Sequence, residues 1–329
     1  MTVVLGIEST AHTFGVGVAS EGGILANVND TYVPPQGSGI HPREAAEHHV
    51  RVAAQLVLRA LREAKVGMRD VDAVAFSQGP GLGPALRVGA SVARFLSAKY
   101  GKPLVPVHHG IAHIEIAKMA TGASDPLVVL ISGGHTMIVA HAGDRYRVFG
   151  ETIDISIGNC LDMFARAIGL PFPGVPHLEK CAEGGSRMLE LPYSIKGQDV
   201  SYAGLYTAAL RLVKSGARVE DVCLSIVNTA YYMLAEVTER ALALLKKPEL
   251  VLAGGVARSL RLQRIMSIVA SEYGAKLLVV PAEYAGDNGA MIAWTGLLAY
   301  KSGVTVRIED SLVKQRWRLD EVPTPWIKT

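Results

Sequence analysis

The sequence predicts an α/β fold of two lobes with a ligand cleft between them. Three observations predict it: enough chain for two cores, a strand–turn–strand segment that occurs twice, and strands alternating with long helical patterns. The chain has 329 residues, more than one small core accommodates. Hydrophobic residues make up 49% and charged ones 19%, which supplies a large buried core and argues against disorder.

The elements follow in order. Val3 to Glu8 is an apolar strand, Ser9-Thr10 opens a polar turn, and Phe14 to Ala19 is a returning strand. Leu127 to Ile131, Ser132-Gly133-Gly134-His135-Thr136 and Met137 to Ala140 repeat that arrangement, which suggests a duplicated unit. Residues 42–64 begin with proline in the first turn and carry Ala53, Leu56, Val57, Ala60 and Leu61 at helical spacing. Ala73 to Ser77 reads as a strand. Helical patterns at about 157–169, 219–246, 259–273 and 286–300 alternate with strands at 249–253 and 276–280. Such alternation gives α/β layers, two of them. The tail from Ile308 is polar and irregular, with Lys314, Arg316, Trp317 and Arg318 close together.

Charge and cysteine usage narrow the class. A net charge of +3 neither requires nor excludes a nucleic-acid partner, so a local patch or partner subunits must neutralise most phosphates if one binds. Cys160, Cys181 and Cys223 are odd in number and form no CxxC pair, which argues for a reducing cytoplasm and against a zinc ribbon or disulfide scaffold. The opening MTVVLGIEST has no basic n-region and predicts no signal peptide, and no stretch has the apolar length of a membrane helix.

Three glycine-rich turns each follow an apolar strand. Ser132 to Thr136 has the chemistry of a phosphate cradle, because glycines let backbone N–H groups approach an anion and the hydroxyls add donors. Ser77-Gln78-Gly79-Pro80-Gly81-Leu82-Gly83-Pro84 enters a helix and matches neither the P-loop nor the dinucleotide fingerprint. Ala253-Gly254-Gly255-Val256-Ala257 is the third. Together they predict a nucleotide cleft.

His109 and His113, in HHGIAHIE, are four apart and share one helix face, where two imidazoles can hold one metal. A solvated helix start explains the same spacing. Asp287 stands in a glycine-flanked turn before the last helix and is a third ligand or an ordinary helix cap. A zinc protease is excluded, since the glutamate that activates water is replaced by Gly110. His48 and His49, after Glu44 and Glu47, read as a helix surface.

With GIESTAHT, PREAAEHH, SQGPGLGPALRVG, HHGIAHIE, SGGHT, the DMFAR run at 162–166 and GDNGAMIAW in one order, the chain resembles the universal tRNA N6-adenosine threonylcarbamoyltransferase family. Its members are the bacterial TsaD proteins and the catalytic subunit of the archaeal and eukaryotic KEOPS complex. The resemblance runs from residue 3 to about 320, and YVPPQGSGIHPREAAEHH and QRWRLDEV look like the archaeal/eukaryotic branch. It implies the two-lobed actin/Hsp70/sugar-kinase (ASKHA) fold, built from duplicated RNase H-like units. The expected lobes are residues 1–121 and 122–300, with the last helix packing back on the first lobe and 301–329 a basic tail.

The resemblance also implies the reaction: threonylcarbamoyl transfer from threonylcarbamoyl-AMP to the N6 amine of the tRNA adenosine 3′ of the anticodon, releasing AMP. It implies that His109, His113 and Asp287 hold one divalent metal, iron or zinc, per subunit. Leu130, Ile131, Ser132, Gly133 and Gly134 match the loop touching the acyl-phosphate end of the donor, and Asp162 and Glu179 match acids that hold the ribose. Expected partners are tRNA, a small kinase/ATPase and a small dimeric protein of KEOPS, with no membrane and a cytoplasmic location. Three positions depart from the archaeal pattern. Leu130 replaces a tyrosine ligand, Val175 replaces a glycine in Pro-Gly-Gly-Pro, and Ser259 with Leu260 replaces Asn-Asn, which weakens the expected nucleotide contacts. A small-molecule kinase of the same fold, using Glu8 and the glycine turns for Mg-ATP, and a non-catalytic scaffold are the alternatives.

Overall fold

The computed structural model describes residues 1–35 and 38–327. Gln36 and Gly37 of the YVPPQGSGIHPREAAEHH stretch, and Lys328 and Thr329 of the tail, lie outside the described residues. In the first half the elements are β1 (Val3–Glu8), β2 (Thr13–Ser20), β3 (Gly23–Thr31), α1 (Pro42–Ala64), β4 (Ala73–Gly79), α2 (Gly83–Tyr100), β5 (Leu104–His108) and α3 (His109–Thr121). The second half continues with β6 (Leu127–Ile131), β7 (Thr136–Ala142), β8 (Arg145–Glu151), α4 (Ile157–Ala167), α5 (Gly174–Glu183) and the short β9 (Ile195–Lys196) and β10 (Asp199–Val200). It ends with α6 (Ala203–Lys214), α7 (Val219–Leu245), β11 (Glu249–Ala253), α8 (Leu260–Glu272), β12 (Lys276–Val279), α9 (Ala282–Ala285) and α10 (Gly289–Lys301).

Two five-stranded sheets carry the fold, ordered β3-β2-β1-β4-β5 and β12-β11-β6-β7-β8. In each, an antiparallel meander of three strands is continued by two parallel strands from its first strand. The repeated hairpins are therefore corresponding parts of one duplicated unit. Strands β1, β2, β4 and β6 are buried throughout, as layers covered on both faces require.

Helix α10 follows the second sheet in the chain but lies on the first. Gly15 and Gly17 make room for it, since a Cβ at either would run into the backbone of Asn288, Gly289 or Ala290. The α10 backbone thus rests directly on β2 and carries the residues just before it to the seam between lobes.

Three expectations need correction. His48 and His49 are buried, with His48 Nε2 2.7 Å from Asp30 Oδ1 and His49 Nε2 3.1 Å from Ala11 O. His49 therefore pins the β1–β2 turn and His48 pins β3, and neither is a helix surface. Cys181 and Cys223 form a disulfide, their Cα atoms 6.0 Å apart. Helices α5 and α7 bring together cysteines 42 residues apart, which an odd count of three conceals, and the argument for a reducing compartment falls with it. The Ser77–Pro84 turn is no open cradle: a Cβ on Gly79, Gly81 or Gly83 would meet Lys314, Thr10 or Gln315.

The tail that closes this turn is a strap across both lobes. Ser311 Oγ accepts from Arg94 Nε at 2.7 Å, Lys314 N–H donates to Gln78 O at 2.8 Å, and Trp317 O lies 3.1 Å from His108 Nε2. Farther on, Leu319 enters the core of the second lobe and Trp326 Nε1–H donates to the buried Glu115 at 3.0 Å. Lys314 Nζ sits 4.2 Å over the Trp317 ring, and Arg318 pairs with Glu151 and Asp320. One face of Trp317 and two cations of the basic cluster, Lys314 and Arg318, are therefore already engaged. No helix among the described residues is long and apolar enough to cross a membrane.

Candidate metal centre and adenylate cleft

His108 ends β5 and caps α3. Its Nδ1 accepts from Gly110 N–H at 3.1 Å and Ile111 N–H at 3.3 Å, so the proton sits on Nε2, which donates to Trp317 O. Burial pushes its pKa down to about 3, which keeps it neutral in that role. The helix start explains one histidine of the three and leaves the other two free of capping.

His109 and His113 face one way, their ring centroids 4.7 Å apart. Asp287 arrives between α9 and α10. The capping alternative for it is ruled out, because Asn288 caps α10 by accepting from Met291 N–H at 3.0 Å. Asp287 Oδ1 lies 3.2 Å from His113 Nε2 and 3.6 Å from His109 Nε2. The three donor atoms all fall within 4.8 Å of one another, a spacing that an ion about 2 Å from each accommodates.

Behind His109 stands a second carboxylate. Glu8, at the end of β1 and 0% exposed, places Oε2 3.1 Å from His109 Nδ1, while its Oε1 accepts from Thr10 N–H at 2.6 Å. Thr10 Oγ1 is 3.2 Å from the same Nδ1. This carboxylate–histidine pair keeps a proton on Nδ1 and turns Nε2 toward Asp287, free to lose its own proton to a metal. Burial alone would lower the His109 pKa, but the Glu8 and Asp287 carboxylates outweigh it and hold it up at about 9. Burial likewise raises Asp287, yet His109 and His113 bring it below the usual carboxylate range. His113 is pushed down by burial despite Asp287. A fully buried and a largely buried carboxylate among imidazoles make a place that demands positive charge, which a divalent cation satisfies as well as a proton does.

The glycine turn between β6 and β7 borders this centre. The His135 ring is 5.6 Å from that of His109, and burial, then His109 and His113, push its pKa down to about 3. Leu130 and Ile131 are fully buried in the core, so the surface of the loop begins at Ser132. Ser132 Oγ accepts from Gly134 N–H at 3.2 Å and His135 N–H at 3.0 Å, so those amides are engaged. A Cβ on Gly133 or Gly134 would meet nothing within 4 Å. Their absent side chains leave open space that packing does not require.

Asp162 and Glu179 lie on neighbouring helices. Asp162 Oδ1 accepts from Gly174 N–H at 2.8 Å and Val175 N–H at 3.1 Å, capping α5 from α4. Burial raises its carboxyl despite those bonds. Gly174 is needed here because a Cβ would come 2.6 Å from that of Ala165, whereas Val175 keeps an ordinary negative φ. Glu179, on α5, accepts from Tyr231 and Ser259. His12, in the β1–β2 turn, lies close enough to Asp162 and Asp287 to oppose the effect of burial on both carboxyls. His12 thus neighbours both Asp162 and the histidine–aspartate trio.

Glu8 as partner of His109, Thr10, His135 and Tyr231 are not read from the sequence as members of this site. The GIESTAHT and SGGHT motifs contain the first three, but only the fold brings residues of such separation to one histidine.

Comparison with known proteins supplies the chemistry. The chain resembles HypF of T. kodakarensis with a TM-score of 0.67 at 15% identity, covering 94% of this chain and 49% of that one. The activator of the 2-hydroxyisocaproyl-CoA dehydratase from Clostridium difficile gives 0.55 at 13%, covering 92% and 97%. Both likenesses concern the fold, and it is the actin/Hsp70/sugar-kinase fold expected from the sequence. The sequence profile described as "TsaD: tRNA N6-adenosine threonylcarbamoyltransferase" matches residues 23–294. A tRNA N6-adenosine threonylcarbamoyltransferase of Caldivirga maquilingensis is 75% identical over 325 residues, 99% of this chain and 98% of the relative. That of Pyrobaculum calidifontis is 62% identical over 324 residues, 98% and 96% of the two chains. The chain belongs to the tRNA N6-adenosine threonylcarbamoyltransferase family, acyltransferases that place a threonylcarbamoyl group on the N6 amine of a tRNA adenosine.

Proposed function

We propose that the chain takes threonylcarbamoyl-AMP as its donor, with the adenylate on Asp162 and Glu179 and the acyl end at Gly133 and the histidine–aspartate trio. The convergence of His109, His113 and Asp287 below an open glycine turn carries this reading. An adenine amine is a weak nucleophile because its lone pair is delocalised into the ring, so the donor must come activated and the protein must align the two. The amine attacks the carbamoyl carbon, the bond from that carbon to the phosphate oxygen breaks, and AMP leaves, its phosphate or solvent taking the proton the amine gives up. Gly133 N–H is the amide of the turn left to donate to the carbonyl or phosphate oxygen. A well-aimed donor of this kind is worth about 3–4 kcal/mol in the transition state.

One divalent ion, iron or zinc, held by His109, His113 and Asp287, would act as an electrostatic anchor or Lewis acid for the donor. Glu8 and Thr10 keep His109 in the tautomer such an ion needs. Leu130 offers no ligand atom, so the ligands from this chain are three. Val175 and Ser259 contribute to the adenylate side by a backbone amide and by a hydroxyl on Glu179.

The substrate adenosine is the one 3′ of the anticodon, and the work is done in the cytoplasm with KEOPS partners. One of these partners docks on α1, where Val50 is exposed beside Arg51 and Arg87. With Lys314 and Arg318 engaged, tRNA binding is shared among subunits. The test is single-turnover transfer from synthetic threonylcarbamoyl-AMP to unmodified tRNA, with and without partners, beside metal analysis of the protein. Transfer by the wild type that is lost in His109→Ala supports the reading. Phosphorylation of a small alcohol by Mg-ATP in place of transfer would establish the kinase alternative instead.

A further inference from the structure

The two acids on the adenylate side are not held alike. Asp162 is tied by the backbone amides of Gly174 and Val175, with no side-chain donor. Glu179 is tied by two side chains, and both bind the same oxygen. Tyr231 O–H, on α7, donates to Oε1 at 2.7 Å, and Ser259 O–H donates to Oε1 from the N-cap of α8. Ser259 Oγ in turn accepts from Leu262 N–H at 3.0 Å, so its own position is fixed by the helix it caps. Among the described residues Oε2 takes no hydrogen bond.

We infer that Tyr231 is a positioning residue for the ribose: with Ser259 it turns Oε1 of Glu179 into the protein and presents Oε2 to the nucleotide's hydroxyls. The inference rests on the ribose role proposed for Glu179 and deepens it. Tyr231 is 0% exposed and does not itself reach the cleft surface. Burial, then the Glu179 carboxylate, raise its pKa well above the ordinary value, so it remains a donor at any working pH. A free glutamate on an exposed helix samples several rotamers; two charge-assisted bonds to one oxygen leave one.

The surroundings make the role separable from mere packing. Cys181, half a turn beyond Glu179, is bonded to Cys223, two turns before Tyr231 on the same face of α7. Helix α5 therefore stays on α7 whether or not the tyrosine hydroxyl is there. Tyr231→Phe keeps the ring and removes one hydrogen bond.

The experiment is calorimetric titration of the full chain with AMP and with 2′,3′-dideoxy-AMP, in wild type, Tyr231→Phe, Ser259→Ala and Glu179→Ala. Wild type should prefer AMP. In Tyr231→Phe, AMP should bind about ten-fold more weakly, as for loss of a hydrogen bond to a charged group, with dideoxy-AMP unchanged, so the preference shrinks. The donor KM should rise while kcat holds. Should Tyr231→Phe fail to fold, Ser259→Ala carries the same expectation through the same oxygen. Loss of the preference in Glu179→Ala but not in Tyr231→Phe or Ser259→Ala overturns the positioning role alone. If Glu179→Ala also keeps the preference, the ribose role of Glu179 fails and the inference with it. Equal weakening of both ligands in Tyr231→Phe means general damage to the site and likewise overturns it.

Discussion

The β1–β2 turn and the β6–β7 turn occupy the same place in the two copies of one unit, yet one is filled and the other open. Ser9 and Thr10 are buried, and a Cβ on Gly81 would come 2.5 Å from Thr10 O. Gly133 and Gly134 are exposed, with nothing within 4 Å of an added Cβ. The filled turn uses its polar groups inward, Glu8 and Thr10 both reaching His109. In the open one, Gly133 N–H makes no hydrogen bond among the described residues. Duplication supplied two equivalent turns, and packing made one a support for His109 and left the other open.

The largest effect should come from the ligand itself. Asp287→Ala should remove the bound metal and lower transfer by more than about 100-fold, beyond what outer contacts cost; mass-spectrometric metal content and single-turnover rate check this. Next comes the scaffold turn. Glu8→Gln should weaken metal affinity by about 10–100-fold at unchanged ligand count, measured by chelator competition. An unchanged affinity would mean the filled turn is only filler, and the comparison would break.

Without metal the same contact should make stability pH-dependent. The folded pKa of His109 is raised to about 9 from its ordinary 6.5, so its stabilisation is fully present below 6.5 and lost as pH rises through about 9. The loss is on the order of a few kcal/mol, read as a falling Tm in chelator, and Glu8→Gln should flatten it. The smallest effects sharpen the contrast between turns. Gly81→Ala should destabilise by about 1–3 kcal/mol through overpacking. Gly133→Ala should stay within about 0.5 kcal/mol of wild type in denaturant unfolding, while weakening donor binding. Reversal of that order would sink the distinction between filled and open.

Much of this was legible one element at a time. The hairpins, α1, α7, α8 and β11 follow from periodicity, because apolar spacing reports which face of a single element is buried. His109 and His113 share a face by helical geometry alone. Other readings failed where burial depends on a distant neighbour. His48 and His49 look like surface until the turn at Ala11 is laid on them. Cys181 and Cys223 look unpaired until α5 lies along α7. The basic tail looks free until Gln78, His108 and Glu115 hold it.

By itself the sequence determined the two-lobed fold class, the imidazole pair and the family, since each is written in local spacing or in the order of motifs. Only the tertiary structure decided that Asp287 leaves capping to Asn288 and turns to the histidines, that Glu8 backs His109 from 101 residues away, and that Tyr231 grips Glu179. Side chains so far apart in the chain meet only after α10 has crossed to the first sheet and α5 has settled on α7. Packing geometry fixes those encounters, and no local periodicity carries it.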